Sequence, residues 1–119
     1  METLQKSYKK LIAWQKADNL AYHIYFATKN FPKKELYGIT SQIRRAGLSV
    51  PANIAEGAGR QNRKEKKQFI NIALGSLVET EYLLEFSLRL GFIDIEAYNN
   101  IELLRKSTGA LLWGLYKSL

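Results

Sequence analysis

With 119 residues, 46% of them hydrophobic and 24% charged, the chain has room for one soluble globular core and little for a second. It has no cysteine, which excludes a disulfide framework, a thiolate zinc site and a cysteine nucleophile; no apolar run nears the roughly 20 residues of a membrane span and residues 1–6 lack a signal-peptide core, so a cytoplasmic protein is expected. The formal charge of +7 and pI near 9.7 favour an anionic partner such as nucleic acid, acidic protein or anionic lipid.

Helical spacing appears first at Leu11, Trp14, Ala17, Ala21, Ile24 and Thr28, which predicts a helix beginning between positions 7 and 11 and running to about 30. Residues 1–10 are a candidate for a flexible N-terminal arm. Phe31-Pro32 ends the first helix, because a residue before proline is pushed toward extended backbone. The series Ile39, Ile43, Ala46, Val50, Ile54 predicts a second helix over residues 36–56, with Gly57 just past its end. Pro51 lacks the N–H that would bond to the Gly47 carbonyl, so a bend is expected there.

Asn62 followed by Glu65 resembles a capping box, and Leu90-Gly91-Phe92 a glycine stop, bounding a third helix at residues 63–90. That helix carries two apolar series, one through Phe69, Ala73, Ser76, Thr80, Leu83 and Ser87, the other through Ile70, Leu74, Leu77, Leu84 and Leu88; it therefore needs more than one partner surface. Asp94 is a good N-cap for a fourth helix continuing through Tyr98, Ile101, Leu104, Thr108, Leu111 and Leu115. No stretch alternates with period two. The expected fold is all-α, a single-domain antiparallel up-down-up-down four-helix bundle with its second helix bent at Pro51.

The strongest chemical signal is the run Arg60-Gln61-Asn62-Arg63-Lys64-Glu65-Lys66-Lys67. Residues 1–67 hold 14 Lys/Arg against 5 Asp/Glu, whereas residues 68–119 hold 4 against 6. A helix start normally attracts acids, since its free N–H groups carry partial positive charge, so cations there cost stability. If the helix starts near Asn62, Arg60, Arg63, Lys64 and Lys67 fall at i, i+3, i+4 and i+7 and share one face. Such a face suits the phosphate backbone of a polyanion; a plain solvated charged face is the alternative. Gln42, Arg45, Ser49, Asn53 and Glu56 form a second polar stripe, either solvated or a hydrogen-bonded network at a helix or subunit interface, with Arg45 and Glu56 as candidates to neutralise one another. Tyr8, Tyr22 and Tyr37 are candidates for stacking on bases, whereas Trp14, Tyr25, Phe69 and Trp113 read as core or interface anchors.

Catalytic chemistry finds no support. His23 stands alone, Glu81 and Glu85 lack matching histidines for a di-metal bundle site, and Glu85 reads as an i, i+4 partner of Arg89. Glu56-Gly57-Ala58-Gly59-Arg60 follows no strand and precedes no Gly-Lys-Ser/Thr, so it is not a nucleotide loop. No catalytic residue, metal or cofactor is expected.

Four stretches carry a family resemblance: Ala13-Trp14-Gln15-Lys16-Ala17, Phe31-Pro32-Lys33-Lys34-Glu35, the long segment Gln42-Ile43-Arg44-Arg45-Ala46-Gly47-Leu48-Ser49-Val50-Pro51-Ala52-Asn53-Ile54-Ala55-Glu56-Gly57, and Ala73-Leu74-Gly75-Ser76-Leu77. Over nearly its whole length the chain resembles the bacterial four-helix bundle proteins encoded within intervening sequences of 23S ribosomal RNA genes, often called ribosomal proteins. The accessory variability protein of diversity-generating retroelements is similar. The resemblance implies a ring-like homopentamer with basic surface; in the retroelement protein it implies binding of nucleic acid and a reverse transcriptase. Arg44, Arg45, Asn53 and Glu56 match the pattern without fixed roles. Two functional expectations result. One is a non-enzymatic oligomer binding structured RNA, or RNA/DNA, through Arg60, Arg63, Lys64 and Lys67 with Arg44 or Arg45. The other is an interaction scaffold whose basic surface meets neighbouring subunits or an acidic partner such as a polymerase.

Overall fold

The computed structural model describes residues 7–119. Of the expected arm, residues 1–6 lie outside the described residues, and Ser7–Lys10 form a 3-10 turn. Four long helices follow: α1 (Ile12–Ala27), α2 (Ser41–Ala58), α3 (Arg63–Arg89) and α4 (Ile95–Ser118). No strand occurs among the described residues.

Each helix packs on its two neighbours in the cyclic order α1, α2, α3, α4. Short connections force consecutive helices antiparallel, and the result is an up-down-up-down bundle measuring 43 × 25 × 20 Å. Its axis is lined by Ala17, Leu20 and Ile24 of α1, Ile43, Val50 and Ile54 of α2, Ala73, Leu77 and Leu84 of α3, and Ile101 and Leu112 of α4. Three buried hydroxyls are satisfied within their own helices: Thr80 Oγ1 donates to the Ser76 carbonyl at 2.8 Å, Ser87 Oγ to Leu83 at 2.8 Å, and Thr108 Oγ1 to Leu104 at 2.7 Å. They fill core space without cross-linking helices.

The entry to α2 differs from the expected continuous helix over residues 36–56. Thr28–Asn30 tighten into a 3-10 turn, and Phe31 turns extended ahead of Pro32 (φ −67°, ψ 151°). A 3-10 turn at Lys33–Glu35 and a π-helical turn at Leu36–Thr40 then lead into α2, with Gly38 outside helical backbone at φ −110°, ψ −120°. Gly38 thus breaks the helical backbone ahead of α2, and α2 carries the buried Pro51 within its length. At the other end, Gly57 does not stop the helix. It is buried inside the last turn, and Gly59 is the C-cap, its N–H reaching the Ala55 and Glu56 carbonyls at 3.3 and 3.2 Å.

The termini of α3 and α4 follow local chemistry. Asn62 Oδ1 accepts from the N–H groups of Lys64 and Glu65 at 2.8 and 3.2 Å, and Asp94 Oδ1 from Ala97 at 2.8 Å. Beyond α3, Gly91 takes φ +76°. The Gly91 N–H reaches Leu88 and the Phe92 N–H reaches Ser87, both at 3.0 Å, which is the paired-bond Schellman stop. Phe92 then packs on Phe31 with ring centroids 5.6 Å apart, tying the α3–α4 turn to the α1–α2 turn.

A Cβ at Gly91 would meet nothing within 4 Å, so Gly91→Ala isolates the left-handed backbone cost, about 1–2 kcal/mol. Urea unfolding should show that loss, whereas Gly114→Ala, also in open space but inside α4, should be stabilising by about 0.5–1 kcal/mol.

Candidate nucleic-acid interface

The basic run straddles the α2–α3 junction, and the fold divides its cations into two groups. Gly57 makes the junction tight: a Cβ there would lie 3.1 Å from Phe69 Cβ and 3.4 Å from the Lys66 carbonyl oxygen. With α3 so close, Lys66 Nζ reaches back to the Gly57 and Ala58 carbonyls at 3.4 and 3.2 Å. Its ammonium thus meets the negative end of α2, a cation where the helix dipole favours one.

Arg60 is also engaged. It precedes the cap residue Asn62, so it stands outside α3 and does not continue its face. The guanidinium bonds to Glu56 Oε2 at 3.1 Å, lies 4.0 Å from Glu65 Oε1, and covers the Phe69 ring at 4.8 Å. Glu65 is therefore turned toward Arg60, and only the Asn62 half of the anticipated capping box forms among the observed bonds. Arg63 and Lys64 are exposed in the first turn of α3 and form no ion pair with a described carboxylate. Lys67, half-buried, sits one turn along with Nζ 5.2 Å from the centre of the Tyr116 ring. The unpaired part of the run is therefore Arg63, Lys64 and Lys67.

Arg44 and Arg45 have different surroundings. Arg44 Nε donates to Thr28 Oγ1 at 2.8 Å and its guanidinium lies 4.7 Å from the Tyr25 ring centre, joining α2 to the end of α1. Arg45 is exposed and opens onto a groove lined by Gln42, Ala46, Ser49 and Glu79. Arg45 and Glu56, proposed above as mutual partners, stand 11 positions apart on one helix, roughly 16 Å of rise; Glu56 pairs with Arg60 instead. The middle of the polar stripe does form a network across helices: Ser49 Oγ and Ser76 Oγ are 2.8 Å apart, and Asn53 Nδ2 donates to the Ser49 carbonyl and hydroxyl at 2.8 and 2.9 Å.

The aromatics divide differently from the sequence reading. Tyr22 and Tyr37 are exposed as expected of candidates for stacking, but Tyr8 packs edge-on against Trp14 at 5.0 Å. Trp113, read as an anchor, is 50% exposed. His23 is exposed with Nδ1 2.8 Å from the Asn19 carbonyl, so that nitrogen donates. Arg89 lies over the Phe86 ring at 4.9 Å rather than pairing with Glu85.

One polar cluster has no counterpart in the sequence reading. Arg105 Nε donates to Glu102 Oε2 at 2.6 Å, and its Nη2 reaches Glu81 Oε2 across to α3 at 3.2 Å. The Glu102 hydrogen bond holds the guanidinium pKa above its ordinary value, against the opposing effect of burial. Burial, followed by the charges of Glu102 and Glu85, raises the Tyr98 phenol above its ordinary value. This cluster occupies the α3–α4 seam; Glu102 and Arg105 are an i, i+3 pair visible in sequence, but the Glu81 link spans 24 positions.

The family model described as 23S rRNA-intervening sequence protein matches residues 9–114. The crystal structure of a protein with unknown function from the S23 ribosomal protein family of Bacteroides thetaiotaomicron is 31% identical in sequence. It superposes with a TM-score of 0.83 over 89% of this chain and 96% of that one. No curated protein matches the chain.

The division of cations makes opposite stability predictions. Lys66→Ala removes a C-terminal cap from α2 and should lower unfolding free energy by about 0.3–1 kcal/mol. Arg63→Ala removes a cation from a helix N-terminus and should leave stability unchanged or slightly raised. Parallel urea titrations check both signs.

Proposed function

The chain belongs to the 23S rRNA-intervening sequence protein family, and from that premise we propose that it is a non-enzymatic, cytoplasmic nucleic-acid-binding protein acting as an oligomer. In this reading it holds structured RNA, or an RNA/DNA hybrid, mainly by the phosphate backbone. The observation that carries the reading is the exposed, unpaired Arg63 and Lys64 beside Lys67 at the N-terminus of α3. The cations and the positive end of the α3 dipole act there on the same anion, although the Lys64 and Glu65 N–H groups are already taken by Asn62. Arg60 contributes less, since Glu56 and Glu65 already compensate it. Arg45 supplies a further exposed cation on α2, while Arg44 mainly secures α1 to α2.

Backbone binding has a measurable signature in salt. Each phosphate contact removed should reduce the log–log slope of affinity against salt by roughly 0.7–0.9. The triple variant Arg63→Ala/Lys64→Ala/Lys67→Ala should therefore lose about two units of slope. A folded triple variant with the wild-type slope would sink the assignment.

A second reading, an interaction scaffold assembling head to tail into a ring such as a homopentamer, is favoured by two unpartnered apolar faces. The outer side of α3 exposes Ile72, Val78 and Tyr82 around Gly75, next to Glu79. A groove between α1 and α2 is lined by Tyr25, Leu36, Tyr37 and Leu48 with Arg44 and Arg45. The faces match in character and oppose in charge, as a heterologous contact requires; an acidic partner such as a polymerase is the other candidate for the basic groove. Val78→Asp should lower the mass seen by light scattering without loss of helicity. A wild-type protein that is monomeric at every concentration counts against assembly.

A further inference from the structure

We infer that Trp113 and Tyr116 form a stacking platform for unpaired bases, so that the ligand held at the α3 N-terminus includes a single-stranded segment; this rests on the nucleic-acid reading above. Trp113 is 50% exposed and stands outside the hydrophobic core, whereas Tyr116, three positions on, packs against that core. The two rings are nearly parallel, at 10°, with centroids 5.5 Å apart. Tyr116 thereby backs the indole with a fixed, flat surface, and the exposed part of Trp113 is presented without the rotamer freedom of an isolated side chain.

The platform adjoins the cations. Lys67 Nζ lies 5.2 Å from the Tyr116 ring centre and Lys117 Nζ 5.8 Å from that of Trp113. Lys67 belongs to the same first turns of α3 as Arg63 and Lys64, so one continuous surface runs from the free cations to the indole. Aromatic rings beside cations that track a backbone are the means by which proteins hold single strands with little sequence preference, since every base has a π-face. Lys117 is exposed on a flexible stem, and a base settling on Trp113 displaces its ammonium toward the adjoining phosphate. A duplex keeps its bases stacked on one another and offers the platform only its ends.

The test compares an oligouridylate of about 12 nucleotides with an RNA duplex of similar length, across a series of salt concentrations, for wild type, Trp113→Ala and Trp113→Phe. Trp113→Ala should bind the single strand roughly tenfold more weakly and the duplex as wild type does, with the salt slope unchanged because no charge is lost. Trp113→Phe should recover most of the affinity. Tryptophan emission of the wild type should be quenched by the single strand, and that quench should vanish in Trp113→Phe, which keeps the test decisive if the alanine variant fails to fold. Single-strand affinity within twofold of wild type for a folded Trp113→Ala, or a quench that survives in Trp113→Phe, overturns the platform while leaving backbone binding intact. A change in oligomer mass on Trp113→Ala with no change in single-strand affinity also overturns it, assigning the indole to a subunit contact. Wild-type protein that binds neither RNA at low salt overturns both this inference and the reading on which it rests.

Discussion

At Gly57 a side chain would crowd the neighbouring helix, because the last turn of α2 meets the first turns of α3 at Phe69 Cβ and the Lys66 carbonyl. That contact fixes the rotation of α3 relative to α2. Lys66 is thereby brought under the α2 carbonyls, Phe69 under the Arg60 guanidinium, and Arg63 and Lys64 are left facing water. A second close approach holds the opposite flank of α2: a Cβ on Gly47 would lie 2.9 Å from Ile24 Cδ1 on α1. Packed against α1 on one side and α3 on the other, α2 places the cation pattern at its end. Closely packed interiors transmit position in this way.

Features decided within a few residues were legible in the sequence. Asn62 and Asp94 cap because a short polar side chain folds onto N–H groups two or three positions ahead, and Gly91 stops α3 because the left-handed conformation needs no partner elsewhere. The four apolar stripes were legible for the same reason, being set by helical period alone. Gly57 was misread because a glycine that ends a helix and one that admits a neighbouring helix are identical in sequence; the difference is the close approach of Phe69 Cβ, 12 positions away. Gly38 shows the converse, a backbone break just ahead of the apolar series, within a span that reads as continuous helix.

The candidate site was legible in composition but not in allocation. Five cations in the run look equivalent as letters, yet Lys66 caps, Arg60 is compensated by Glu56, and Arg63, Lys64 and Lys67 keep the unpaired charge. Aromatic partners account for much of the misallocation. Arg44, Arg60, Lys67 and Arg89 each lie over a ring, and such contacts depend on neighbouring turns or helices rather than on i, i+4 charge spacing. Glu81 and Arg105, 24 positions apart on different helices, meet only because α3 and α4 share a seam.

The unpaired cations sit where α3 already presents its positive end, so the free protein carries an internal repulsion that its Asn62 cap only partly offsets. On the nucleic-acid reading proposed above, a bound polyanion would relieve that repulsion, and ligand occupancy and fold stability would be two readings of one equilibrium. Salt acts on the two states with opposite sign: mobile ions screen the repulsion and steady the empty protein, while they compete with the protein for phosphate and loosen the complex. On that reading, the N-terminus of α3 is a point at which the ionic composition of the surroundings would set both how firmly the bundle is folded and how tightly it holds its ligand.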